Sequence, residues 1–369
     1  MKQRLPLILP FLLLSVLALL AGLWGGLLRL GWAMPTLPNS LPMQHGPLMI
    51  SGFLGTLIAL ERVAALGRRW MYGAPLLSGI GWVASLALPE SLAGPLLITL
   101  GSLFAAGILA VIVKMETKIY TVTMAVGAFG WLIGNVLWLT GSLIPLVVWW
   151  WAAFLVLTIT GERLELNRVL RLRSSHYRLF TAAAGLFVIG VALTSAAPEI
   201  GARITGLGML ALAAWMVRYD IARRNLRHKA ALTRFIAYCL FLGYFWLGLS
   251  GVLNLIYGMQ YSGPVYDALL HTVFVGFVFS MIFGHAPIIL PALTRINVPF
   301  RASFYLPLAL LHVSLILRVA GDLAFLTGLR KWGGLLNEVA ILGFIGLFVF
   351  SILRQRVPVK QPLKKTAHS

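Results

Sequence analysis

The sequence predicts an all-α polytopic membrane protein with twelve transmembrane helices. Three observations lead there. Of 369 residues 60% are hydrophobic and 11% charged. The apolar residues fall in runs long enough to span a bilayer, which takes about 20 residues. The basic residues collect in the short breaks between those runs. A soluble domain carries about 25% charged residues, so these charges cannot cover a globular surface and a soluble enzyme is excluded.

Taken in order, the apolar runs predict helices over 5–33, 42–66, 71–88, 92–114, 118–140 and 143–170, then 177–196, 200–222, 232–258, 264–293, 303–326 and 332–355. A twelve-helix transmembrane domain over 1–355 and a basic cytoplasmic tail over 356–369 account for the chain. The first run follows Lys2 and Arg4 but is too long for a signal-peptide core. It also lacks a small-residue cleavage site, so a retained first helix is expected.

The formal charge of +20, from 30 basic and 10 acidic side chains, would suit a nucleic-acid partner if it formed a basic domain. It forms only short clusters, which argues against nucleic acid and for topology. With the N-terminus inside, the inner ends, loops and tail hold 25 of the basic residues. The outer side keeps four, Arg29, Arg203, Arg330 and Lys331, and Arg318 falls within a span. That asymmetry satisfies the positive-inside rule. It predicts a multi-pass protein of a bacterial-type inner (cytoplasmic) membrane, both termini cytoplasmic, with the lipid bilayer as its surroundings.

A single cysteine, Cys239, excludes a disulfide framework, a zinc ribbon, a thiolate-held iron–sulfur cluster and a C-x-x-C-H site for covalent haem. No P-loop, H-E-x-x-H or Gly-rich dinucleotide turn is present, and nothing resembles a serine or cysteine triad.

A weak repeat runs through the chain. The second helix ends in Glu61-Arg62 and the sixth reaches Glu162-Arg163, while the tenth has Gly284-His285 at the corresponding place. Three pseudo-repeats of four helices would produce this. Chance, with the interfacial preference of Glu and Arg, would produce it equally well.

Ionisable side chains inside lipid are costly, which makes them functional candidates. His176, His228 and His368 fall in basic loops and the tail and read as solvated groups. His45 opens the second helix and His271 lies about two turns into the tenth, so both imidazoles belong at one depth in the outer third. Two histidines at one depth on different helices suit the axial positions of a non-covalent haem. Gly46, Gly52 and Gly276 would let a flat macrocycle approach. A helix-start histidine and a core hydrogen bond are the plain alternatives. His285, deeper on the tenth helix, and His312, on the eleventh, fall near one depth. They could ligate a second haem or a copper ion, serve a proton relay, or simply bond one another or Glu61. Asn135, Asn254, Asp267, Arg318, Asp322 and Glu338 are the other intramembrane polar groups. Arg318 and Asp322, four apart, form a natural ion pair, and Arg318 is also the best partner for a haem propionate. Trp82, Trp138 and Trp149-Trp150-Trp151 fall near outer ends, as an interfacial belt would.

At these residues the sequence resembles the superfamily of haem–copper oxidase subunit I and, more closely, its NnrS-like relatives. The second helix begins His45-Gly46-Pro47-Leu48-Met49-Ile50, matching a His-x-x-x-Met-Ile setting. The tenth leads from His271 through Ser280-Met281-Ile282-Phe283-Gly284-His285 to Pro291-Ala292-Leu293-Thr294 and Arg295, and the eleventh runs from His312 to Arg318. The resemblance covers helix number and order along the whole chain, with its motifs concentrated in these three helices. It implies three arcs of four helices and a low-spin haem b held by His45 and His271. The copper-ligating histidines of an oxygen-reducing subunit I, on the sixth and seventh helices, have no counterpart here, so a typical oxygen-reducing oxidase is not expected. The resemblance points instead to electron transfer, with a quinol or cytochrome as redox partner, or to relief of nitric oxide stress. A secondary transporter of a small solute and a cofactor-free subunit of a respiratory assembly are the competing readings.

Overall fold

A segment crossing lipid finds no water for its N–H and C=O groups and must satisfy them within itself, which favours uninterrupted helix. The computed structural model describes residues 5–36 and 38–355, and among them there is no strand. Lys2, Arg4 and the tail expected at 356–369 lie outside the described residues.

Helices form in the order expected: α1 Leu5–Arg29, α2 His45–Leu66, α3 Gly73–Ala87, α4 Ala93–Met115, α5 Ile119–Leu139 and α6 Ile144–Leu166. They continue as α7 Ser174–Leu193, α8 Pro198–Tyr219, α9 Ala231–Tyr257, α10 Gly263–Thr294, α11 Tyr305–Leu323 and α12 Thr327–Gln355. Eleven helices among the described residues are long and apolar enough to cross a membrane. The exception is α3, whose 15 residues rise about 22 Å, short of the roughly 30 Å hydrocarbon core.

Local chemistry sets the ends. Proline occupies the first turn of α6, α8 and α10, where its missing N–H costs nothing. Gly67, left-handed at φ 72°, closes α2 in a conformation other residues adopt only at a cost.

Successive helices pack side by side, and α10 also touches α1, α2 and α6. The three most buried spans are α6, with 72% of its most apolar window buried, and α2 and α10, each with 61%. They stand four helices apart, the spacing of the sequence repeat. At one end of this centre Arg62 of α2 pairs with Glu162 of α6. The second arginine of the repeat, Arg163, instead grips Asp220 through two hydrogen bonds of 3.0 and 2.7 Å.

Of the five tryptophans expected in an outer interfacial belt, three lie inside the bundle instead. Trp82, Trp149 and Trp151 are buried. The Trp151 indole N–H donates to Asn135 Oδ1 at 2.9 Å inside the bundle, and the Trp131 N–H donates to Ser51 at 3.0 Å. Hydrogen bonds between helices hold Trp131 and Trp151 there, whereas the Trp82 and Trp149 indole N–H groups are buried with no hydrogen-bond partner among the described residues.

Candidate functional site: two histidines on parallel helices

Helices α2 and α10 run parallel and in register. The rings of His45 and His271 lie 6.3 Å apart between centroids, with planes 24° apart. Eight residues further along each helix, Phe53 and Phe279 repeat the relationship at 6.2 Å and 25°. Between histidine and phenylalanine both helices widen into π-helix, Leu48–Gly55 in α2 and Thr272–Phe279 in α10. Such segments are rare and concentrate at functional sites.

The glycines expected to admit a macrocycle divide by role. Gly46 lines the cavity beside His45. A Cβ at Gly276 would meet the Trp246 ring at 2.4 Å, and one at Gly52 would meet Ala18 at 3.0 Å and Trp82 at 3.1 Å. Those two let neighbouring helices close on the π segments and do not face a ligand. A glycine of α1 matters more to the site. A Cβ at Gly26 would stand 3.0 Å from His45 Cε1 and 3.3 Å from Glu338 Oε1, so its bare backbone lets α1 approach both.

Carbonyl oxygens only accept hydrogen bonds, and this sets the histidine tautomers. His45 donates from Nδ1 to the Gly22 carbonyl at 2.6 Å. His271 donates from Nδ1 to the Asp267 carbonyl at 2.8 Å, with Asp267 Oδ1 3.3 Å away. Each neutral ring therefore keeps an unprotonated Nε2, the form that binds metals, and its orientation is held by a bond from the other nitrogen.

Both histidines line a cavity of about 400 Å³, within the ~300–1,000 Å³ typical of cofactor sites. Its charged residues are Arg29, Asp267, Arg318, Arg330 and Glu338. Arg318 does not pair with Asp322, its neighbour one turn along α11. It donates from Nε and Nη2 to both Asp267 oxygens at 2.7 and 2.9 Å, while Asp322 takes Arg330 at 2.9 Å. The packing of α10 against α11 presents a carboxylate in bidentate geometry, which outweighs an i,i+4 pair on one helix face. Arg318 thus holds Asp267, which in turn holds His271. Arg29 lines the same cavity, and no carboxylate stands within ion-pair distance of it among the described residues. The sequence placed Arg29 only as a topology marker. In the sequence Asp267 stands only as one of the intramembrane polar groups, with nothing to mark its link to His271.

The second pair of histidines does not assemble. His285 donates from Nδ1 to the Met281 carbonyl at 2.7 Å and leaves a buried Nε2 with no partner. It faces a separate cavity of about 360 Å³ towards the Glu61 end of the bundle. His312 does not line that cavity. Its Nδ1 accepts the Trp246 indole N–H at 2.8 Å, and its Nε2 lies 3.5 Å from Ser280 Oγ. With its one lone pair engaged by Trp246, His312 is a packing residue between α9, α10 and α11 and has no nitrogen to offer a metal.

Two imidazoles on opposite sides of one metal ion, with bonds of about 2.0 Å, have ring centroids roughly 6 to 6.5 Å apart. His45 and His271 stand at that spacing, with matched tautomers, a ligand-sized cavity and basic groups at its rim. The donor set fits a bis-imidazole cofactor.

No curated protein and no solved structure matches the chain. A family model does, over residues 4–353. With almost the whole length matched, the chain belongs to the family described as a domain of unknown function, DUF8744.

Proposed function

We propose that this is an integral membrane haem-binding protein in which His45 and His271 are the axial ligands of one haem b between α2 and α10. The observation that carries the reading is the 6.3 Å pairing of two rings, each anchored through Nδ1 to a backbone carbonyl. Bound there, a haem supplies one-electron chemistry, tuned by its axial ligands and surroundings. The chain's own part is to hold the two imidazoles in the unprotonated-Nε2 form, to steady His271 through Asp267 and Arg318, and to present cations to the propionates. Arg29 has no ion-pair partner among the described residues, and Arg318 keeps Nη1 outside its bonds to Asp267.

The likeness to NnrS-like proteins in α2, α10 and α11 supports a role in electron transfer or in the response to nitric oxide. The asymmetry of basic residues supports an inner-membrane location with both termini in the cytoplasm. Burial that peaks every four helices, instead of in two related halves, weighs against a secondary transporter.

The test is the visible spectrum of the purified protein, oxidised and reduced. A Soret band and a sharp reduced α band are expected, both lost in His45→Ala and in His271→Ala while size-exclusion profiles stay monodisperse. A spectrum unchanged by both substitutions would overturn the assignment.

A further inference from the structure

The cavity at the Glu61 end is walled off from the histidine pair by the stacked rings of Phe53 and Phe279, which border it along with Leu54 and Ile341. Its wall is mostly aliphatic and aromatic, and three of its six polar side chains are already engaged. Ser15 donates to the Phe53 carbonyl, Thr294 donates to the Leu290 carbonyl, and Glu162 is paired with Arg62. Two ionisable groups of the wall, Glu61 and His285, have no side-chain partner among the described residues. The Nε2 of His285 is buried and unbonded, and its tautomer makes it an acceptor. An unmet acceptor in an apolar cavity carries a desolvation cost that a ligand bearing an O–H group would remove.

The cavity is also not enclosed. Val16 of α1 and Val349 of α12 line it and are 39% and 48% exposed, so the cavity is not sealed between these helices. An opening between two apolar helices suits an apolar ligand arriving from a bilayer.

We propose that this cavity binds a lipid-soluble hydroquinone, a molecule of the quinol class, with one phenolic hydroxyl donating to His285 Nε2 and its apolar body against the aromatic wall. A single imidazole with no second histidine beside it, and no group of three or more metal-ligating side chains among the described residues, argues for an organic ligand over a metal centre. The proposal does not depend on the haem assignment, since it concerns a different cavity and can be read in haem-free protein.

The experiment titrates the full-length protein, in nanodiscs, with short-tailed ubiquinol and menaquinol analogues kept reduced, reading saturable binding by quenching of intrinsic fluorescence. Loss of the hydrogen bond in His285→Leu should weaken binding about tenfold. His285→Gln, which retains an acceptor, should recover much of that loss. Ile345→Trp, filling the cavity without touching the histidine, should abolish binding, and His312→Phe should leave it unchanged. No saturable binding by wild type, or equal affinity in His285→Leu and wild type, would overturn the proposal. So would loss of bound iron in His285→Leu, which would make His285 a metal ligand.

Discussion

Asp267 and Arg318 are joined by two hydrogen bonds across the interface of α10 and α11, and the carbonyl of the same aspartate fixes His271. An ion pair and a histidine orientation therefore share one residue. Removing one partner of a buried pair strands the other charge and costs about 3–5 kcal/mol, so Asp267→Ala should lower thermal stability in detergent by that order. The double variant Asp267→Leu with Arg318→Met removes both charges together and should lose less than Asp267→Ala alone. A double variant no more stable than the single one would count against the pair as the cause.

Arg29 offers a test of the cation at the cavity rim. If it faces a propionate, Arg29→Ala should leave the absorption maxima in place, because the axial ligands are untouched. Haem affinity should fall roughly tenfold to a hundredfold, the worth of a charge-assisted hydrogen bond. Transfer of haem to an apo-globin acceptor would measure this, and an unchanged rate would remove Arg29 from the site.

For His312 the expectation is purely structural. His312→Phe should preserve the visible spectrum and cost about 1–3 kcal/mol by leaving the Trp246 indole N–H unpaired. Adding Trp246→Phe should recover part of that loss. A spectral change in His312→Phe would return this histidine to the list of ligands.

Much of this architecture was legible in the sequence, and the parts that were not share a cause. Apolar run length exposed the helices because a bilayer imposes it. Since alternate spans point the same way, helix counting alone placed His45 and His271 at one depth. What one sequence does not record is the rotation of each helix about its axis. Arg318 is therefore seen beside Asp322 when its partner is Asp267. His312 lies against Trp246 and Ser280 while His285 faces a separate cavity, and Trp82, Trp149 and Trp151 turn inward instead of towards the interface. The π segments also left no trace, since hydropathy does not distinguish a π turn from an α turn.

Arg62 and Glu162 provide a fourth test, of the link between α2 and α6. Arg62→Glu and Glu162→Arg should each destabilise by placing like charges together. The combined swap should restore stability relative to their sum, with a coupling of about 0.5–3 kcal/mol for residues in contact. Additive effects in thermal denaturation would show that the pair contributes nothing.

The π-helical stretches give α2 and α10 a rotational phase that an ordinary helix of the same length would not have. Each residue of an α-helix turns the chain by about 100°. Deleting one residue within 48–55 would therefore swing Glu61 and Arg62 away from α6 while leaving His45 where it is. The same deletion within 272–279 would turn His285 out of its cavity and leave His271 in place. The two histidines at the top of these helices and the polar groups at the bottom are geared together through a fixed residue count. Homologues built on this plan should vary in the composition of these stretches far more readily than in their length.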